Sequence, residues 1–505
     1  MVKANKIILK TILLLSYVFI ISVIIFLISS VYSYFNTGAD RSKILHTKIK
    51  KIAQYIPKVT WLKDGNLGRV MNEQTLLEIE ENYLDAWYVK NIALNTNIKT
   101  GIDDYYTESA RKNIYNTITA NENKKITIEQ TTLRHHPNVI LFSEDGQLVV
   151  LEDKNIIEYK KIFKDNKFVF ETTEVANYKV ILLLEDGFWR IRHLVKESVA
   201  TYDDKTIASP IDSLDIKGIN YYPQATPWSM FGDNFNIKII EKDFNLIKKA
   251  HLNTIRIFIS YESFGKANVN ENKLSKLEQV LDSAEKNNLK VVVTLFDFYG
   301  NYDVLDWTLN HRHVDIIVSR FKNHNAILAW DVKNEPNLDF DARGKRTVIS
   351  WLEHIIVLIK SIDKKHAVTI GWSNTESASI LNDQLDFISF HYYEDKKLFE
   401  KKYEELKTII PNKPIVLGEF GVSSYRGIWR PFGGSEVEQA LYYKEMQEIF
   451  TKSKVPFISW TLYDFDTIPK EVVGKLPWRR KTQEYYGFID KNGKNKKSFE
   501  YISSN

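Results

Sequence analysis

Two glutamates carry the chemistry this sequence can do. Asn334-Glu335-Pro336 follows the apolar run Ile327–Val332, and Gly418-Glu419-Phe420-Gly421 follows Ile415–Leu417. A carboxyl set directly after a buried strand points into whatever mouth the strands open onto. Two facing carboxyls are what cleavage of a glycosidic bond needs. One donates a proton to the leaving oxygen, and the other, ionised, attacks the anomeric carbon. In a poorly solvated site two such groups repel, so one holds its proton more tightly and the roles divide. Pro336 fixes its own φ and biases Glu335 away from helix, which suits a side chain at a strand end. Taken singly, either glutamate is equally a surface carboxylate or a salt-bridge partner. The chain has no cysteine, which excludes disulfides, thiolate metal sites and a cysteine nucleophile. The chemistry requires no cofactor and no metal.

The elements around these residues alternate. From Ile216 onward the strand candidates are Ile216–Asn220, Thr254–Ser260, Lys290–Phe296, Ile327–Val332, Ala367–Gly371, Phe387–Phe390, Ile415–Leu417 and Phe457–Thr461. Amphipathic helical patterns such as Leu274–Asn287 and Val348–Ile362 fall between them. Eight strand–helix repeats predict an α/β fold, a (β/α)8 barrel, and right-handed connections leave little choice of topology. An open doubly wound sheet is the rival, but no Gly-rich phosphate loop follows the first strand. Catalytic groups in such a barrel sit at the C-terminal strand ends. Glu335 after the fourth strand and Glu419 after the seventh therefore share one mouth.

With these residues in view, the region 216–503 resembles glycoside hydrolase family 5, the cellulase and β-mannanase family of the two-glutamate retaining clan. Arg256 in Ile255-Arg256-Ile257, Asn334-Glu335-Pro336, His391 with Tyr393, Glu419 and Trp460 carry that resemblance. It implies a role for each. Glu419 is the expected nucleophile and Glu335 the general acid and then base. Asn334 would bind the sugar 2-hydroxyl, and Arg256 would hold Glu419 ionised. Tyr393 would hydrogen-bond Glu419, His391 would line the subsite, and Trp460 would floor the sugar. The family also implies a cis peptide between Trp460 and Thr461. One position departs: where the family has a histidine at the third strand end, this chain reads Leu295-Phe296-Asp297-Phe298-Tyr299. Asp297 or Tyr299 is expected to face substrate instead, which leaves the sugar open. Tyr222 and Trp429 are further aromatic candidates, because a flat ring suits the C–H face of a pyranose. Arg426, Arg430, Arg479 and Arg480 near Trp429 and Trp478 read as a solvated rim, with contact to an acidic polysaccharide as the alternative.

The N-terminal half has a different texture. Thr11 to Ala39 carries no charge. Its apolar heart, Ile12 to about Tyr34, would span roughly 35 Å as a helix, enough for a hydrocarbon core of about 30 Å. Lys3, Lys6 and Lys10 precede it, which puts Met1 in the cytoplasm and everything after Tyr34 outside. A cleaved signal peptide is the rival, but Ser29-Ser30-Val31-Tyr32 is a poor cleavage site. The expected organisation is a tip and transmembrane anchor over 1–40, a stalk over 41–67, an α+β domain over 68–200, a linker over 201–213 and the barrel over 214–505. The α+β segment opens on helical patterns at Glu73–Ala93 and Glu108–Ile118 and continues with seven strand-like runs between Lys125 and Leu194. That order resembles the nuclear transport factor 2-like cone fold. Its one histidine pair, His135-His136, stands beside Pro137 and reads as a solvated turn, and the domain reads as a spacer or partner-binding unit.

Lys+Arg total 69 against 64 Asp+Glu, a balance that leaves no nucleic-acid footprint. The expectation is a membrane-anchored, extracytoplasmic, retaining β-glycosidase, endo-acting on a β-linked glucan or mannan. Its expected partners are a polysaccharide substrate, the bilayer through residues 11–35 and an envelope protein through 68–200. The alternatives are a transglycosylase on envelope or exopolysaccharide glycan and a non-catalytic polysaccharide-binding protein.

Overall fold

The computed structural model describes residues 2–36, 55–63, 65–202 and 213–503. Residues 41–54 of the expected stalk and 203–212 of the linker lie outside the described residues. Helix α1 spans Val2–Asn36, and its described side chains over 13–29 are all exposed. Among the described residues no helix is long and apolar enough to cross a membrane. The expected transmembrane anchor is therefore not supported among the described residues.

In the following domain, helix α2 (Glu73–Thr96) is capped by Asn72, whose side chain accepts from the Thr75 amide, and ends at Asn97 in the left-handed region. Helix α3 covers Glu108–Asn123. The strands are β1 (Lys58–Val59), β2 (Ile126–His135), β3 (Pro137–Phe142), β4 (Leu148–Lys164), β5 (Lys167–Glu185) and β6 (Phe188–Thr201). They form a sheet in the order β1-β2-β4-β5-β6, with β3 also paired to β4. The helices bury Ile79, Tyr83 and Trp87 against Val149, Leu151, Val180 and Ile191 of the sheet. The seven expected runs become five strands here. Leu148–Leu151 and Ile156–Phe163 are one strand, bent where its register with β5 shifts between Asp153 and Ile156. Such a bulge keeps the ladder going while the side-chain alternation slips. The expected solvated turn at His135 is absent: His135 closes β2 and is fully buried.

The second domain is a closed barrel of eight parallel strands, β7 (Lys217–Asn220), β8 (Thr254–Ser260), β9 (Lys290–Asp297), β10 (Ile327–Asn334), β11 (Ala367–Trp372), β12 (Ile388–Tyr392), β13 (Ile415–Phe420) and β14 (Phe457–Ser459). Nearly every residue of β8, β9 and β10 is buried. A strand covered on both faces reads as a continuous apolar run, which is why these elements are visible in the sequence. Around them pack α4 (Ile237–Lys249), α5 (Glu271–Lys286), α6 (Trp307–Phe321), α7 (Lys345–Ile362), α8 (Lys396–Ile409) and α9 (Glu436–Ser453).

The two domains share a packed interface. Tyr159 of β4 stacks on Trp307 of α6 with ring centroids 4.3 Å apart. Glu171 of β5 accepts from Ser350 Oγ at 2.8 Å and from Arg346 Nε at 3.0 Å. Lys58 Nζ pairs with Asp315 at 2.9 Å. Leu133 and Tyr159 join the barrel's own core. The smaller domain is therefore seated on α6 and α7 rather than strung out beside the barrel.

Candidate active site

The site begins with two strand ends. Glu335 follows β10 with φ 49°, a left-handed conformation that costs a non-glycine residue of order 1–3 kcal/mol and persists only where its surroundings hold it. Here the Glu335 amide donates to Gly371 O at 2.7 Å, and Pro336 opens the short 3-10 turn Pro336–Asp339. Glu419 lies in β13 and is 6% exposed.

Beneath Glu419 sits Arg256 of β8, fully buried. Its Nη1 donates to Glu419 Oε1 at 2.7 Å. Its Nη2 and Nε both donate to Asp331 Oδ2, at 2.6 and 3.0 Å. Burial works against the guanidinium charge, but Asp331 and Glu419 outweigh it and raise the Arg256 pKa, so it stays cationic. Asp331 is itself held by Thr294 Oγ1 at 2.6 Å and the Gly371 amide at 3.0 Å. A Cβ on Gly371 would stand 2.7 Å from Arg256 Nη2 and 3.1 Å from His391 Nε2, so only glycine lets both groups lie against this strand.

His391 of β12 joins the two carboxyls. Its Nδ1 is 2.9 Å from Glu335 Oε1 and 3.5 Å from Glu419 Oε2. One oxygen of each glutamate and the ring nitrogen all lie within 4.8 Å of one another. That spacing is also short enough to hold a cation, yet Arg256 already neutralises one Glu419 oxygen, which favours a proton-handling pair. Tyr393 donates from its hydroxyl to Glu419 Oε2 at 3.1 Å. Asn334 Oδ1 accepts from Arg256 Nη2 at 3.0 Å.

These groups open on a cleft of about 690 Å³ that Glu335, Glu419, Asn334, Tyr393, Trp460, Asp297 and Tyr222 line. Trp460 is 5% exposed and its indole nitrogen has no hydrogen-bond partner. Its peptide bond to Thr461 is cis. Tyr222, Trp228 and Phe258 pack around it at 6.4, 5.9 and 6.4 Å between centroids. Asp297 accepts from the Tyr222 hydroxyl at 3.4 Å. Tyr299 stays out of this cleft, buried with its hydroxyl donating to Asn310 Oδ1 at 2.8 Å, and Arg256 and His391 lie behind the cleft lining. Trp429 is also outside it. It stands on the loop after β13, where it faces Trp478 at 6.0 Å.

Sequence reasoning missed Asp331, Thr294 and Asn220, the last of which accepts from Arg256 Nη1 at 3.1 Å. A charged residue inside the apolar run of β10 was the available signal for Asp331. It also missed Gln483 and Tyr486, which line the cleft from the excursion after β14. No motif marks them.

A closed parallel barrel with two carboxyls meeting at its strand ends is the arrangement that two-carboxylate glycosidases use. The sequence profile of the cellulase family, glycosyl hydrolase family 5, matches residues 214–466. The chain belongs to that family. Among curated proteins it is similar to mannan endo-1,4-β-mannosidase A of Emericella nidulans, 26% identical over 209 residues that cover 33% of this chain and 54% of that protein. It is also similar to mannan endo-1,4-β-mannosidase 1 of Oryza sativa subsp. japonica, 25% identical over 258 residues, 37% of this chain and 58% of the relative. The chain thus spans about half the length of the curated relatives it matches. Among solved structures it is similar to an exo-β-1,4-mannosidase from Opitutaceae bacterium strain TAV5, with 17% identity, a TM-score of 0.47, and coverage of 56% of this chain and 57% of that one.

Proposed function

We propose that the chain is a retaining β-glycosidase that cuts a β-linked mannan, or the related glucan, from within. The observation that carries this reading is the approach of Glu335 and Glu419 to within 4.8 Å, oxygen to oxygen. Retaining enzymes hold their carboxyls about 5–5.5 Å apart and inverting ones about 6.5–9.5 Å, the difference being room for a water. Glu419, held by hydrogen bonds from Arg256 and Tyr393, attacks the anomeric carbon and forms a glycosyl ester as the bond to the leaving oxygen breaks. Glu335 gives its proton to that oxygen, then takes one from the water that releases the sugar. His391 keeps the Glu335 carboxyl turned toward the bond. Asn334 holds the 2-hydroxyl, and Trp460 supplies an apolar face. The curated relatives are named for mannan, which favours mannan over glucan.

The test is a pair of variants. Glu419→Gln abolishes turnover of β-mannan. Glu335→Ala abolishes it too, but regains activity on aryl glycosides when azide replaces water. Unchanged turnover in both would end this assignment.

The same reading places the barrel outside the cell on an N-terminal anchor. Its support is the uncharged stretch from Thr11 to Ala39 behind Lys3, Lys6 and Lys10. Extraction of the full chain from membranes by carbonate, without detergent, would contradict it.

A further inference from the structure

We propose that the rim beside the cleft binds the negatively charged substituents of a glycan, so that the enzyme cleaves a neutral sugar bond inside an anionic polysaccharide. This rests on the glycosidase reading above and names the class of its substrate.

The rim is built from two loops that pack on each other. The Ser423 hydroxyl donates to Thr482 O at 2.6 Å, and the Ser424 amide donates to Tyr485 O at 3.0 Å. The loop after β13 brings Arg426, Arg430 and Trp429. The excursion after β14 brings Arg479, Arg480 and Trp478, on helix α10 (Pro477–Gln483). The two indoles are 46% and 43% exposed and face each other at 6.0 Å. Among the described residues, none of the four guanidiniums takes a carboxylate, and Arg480 Nε is closed off from solvent with no acceptor. Elsewhere Arg190, Arg256, Arg320 and Arg346 each hold an acid. A planar guanidinium matches a carboxylate or phosphate with two parallel hydrogen bonds, and an indole takes the apolar face of a sugar. Unpaired forks beside exposed indoles therefore suit a sugar chain that carries anions.

The rim is continuous with the cleft. The same excursion supplies Gln483 and Tyr486 to the cleft wall, and Tyr486 lies 6.2 Å from Tyr393, which reaches Glu419. The positive charge of Arg430 also acts on Tyr486. The charges change sign along this path. Inside, Glu335, Glu419 and Asp297 face the sugar, and Arg256 is already engaged beneath them. A sugar acid is repelled there and attracted one or two residues away. An anionic bilayer would also be attracted to the arginines, but it would cap the mouth through which substrate enters.

The experiment measures binding to the full chain carrying Glu419→Gln, so that glycan is held and not cut. The probes are β-mannan and the same β-mannan lightly carboxymethylated. The charged form should bind about tenfold tighter at low ionic strength, the sum of several weak exposed pairs, and the advantage should vanish in high salt. Adding Arg426→Gln, Arg430→Gln and Arg479→Gln should bring the two affinities together. Equal binding before those changes, or a preference that survives them, overturns the proposal. If the triple variant fails to fold, Arg479→Gln alone decides: the preference should fall, and an unchanged one overturns the proposal. Phosphatidylglycerol vesicles captured through the arginines, with no preference for charged mannan, would make the rim a lipid site and overturn it too. Hydrolysis of an aryl β-mannoside by the unmodified enzyme is followed in parallel. Its failure would remove the glycosidase reading and leave the binding comparison to judge this one.

Discussion

Two networks in this molecule use the same side chains to different ends. In the barrel, Glu335, Glu419, His391 and Tyr393 meet at a cleft. In the smaller domain, Asp153, His135 and Tyr83 meet inside the core. His135 Nδ1 is 2.6 Å from Asp153 Oδ2, and the Tyr83 hydroxyl donates to the same oxygen at 2.9 Å. The second network is sealed. Its histidine and aspartate are both 0% exposed, and the other ring nitrogen of His135 is engaged by Thr132 at 2.7 Å. His391 is just as buried, but its Nε2 has no partner and its Nδ1 touches a carboxyl that faces the cleft. An acid–histidine–tyrosine cluster is therefore not a site by composition. It becomes one where a carboxyl opens on space a substrate can fill.

That contrast can be broken or sharpened. The largest effects belong to the cleft. Glu419→Gln and Glu335→Ala should each leave no measurable turnover of β-mannan, while Glu335→Ala alone should recover activity on an aryl glycoside with azide. Next comes Arg256→Ala, which strands Asp331 and Glu419 as buried charges. Breaking a buried pair in this way costs about 3–5 kcal/mol, so both melting temperature and activity should fall. Asp153→Asn should then cost about 1–3 kcal/mol through buried groups left imperfectly paired, with kcat unchanged. A tenfold drop in kcat from Asp153→Asn would erase the distinction between the two networks.

The smallest effect is a pH dependence in the smaller domain. Burial opposes ionisation of Glu158, but Lys160 and Lys90 prevail and hold its carboxyl down at about 2, below its ordinary 4.5. A depressed carboxyl lends stability above its unfolded value and surrenders it as pH falls toward the folded one. Melting of the domain should therefore be flat above about pH 4.5 and decline toward pH 2. Glu158→Gln should flatten that decline.

What the sequence revealed follows from burial. The barrel strands are covered on both faces, so each appears as an unbroken apolar run, and a glutamate just past such a run stands out. Asp331 interrupts such a run as a charge, but its role comes from Arg256 on another strand, and no spacing along the chain encodes that meeting. His135 was misplaced for a local reason. Pro137 beside it looks like a turn, yet it begins β3, and the first residue of a strand tolerates proline. The interface was hidden in the same way: Tyr159 alternates like any strand residue until Trp307 lies across it.

The account's central claim is that Glu419 takes the sugar covalently while Glu335 handles the proton. A 2-deoxy-2-fluoro-β-mannosyl fluoride slows release of such an intermediate, and mass spectrometry of the digested protein locates the label. The label is predicted on Glu419, in the peptide that contains Gly418 and Phe420. A label on Glu335, or turnover of the reagent with inversion and no adduct at all, would contradict it.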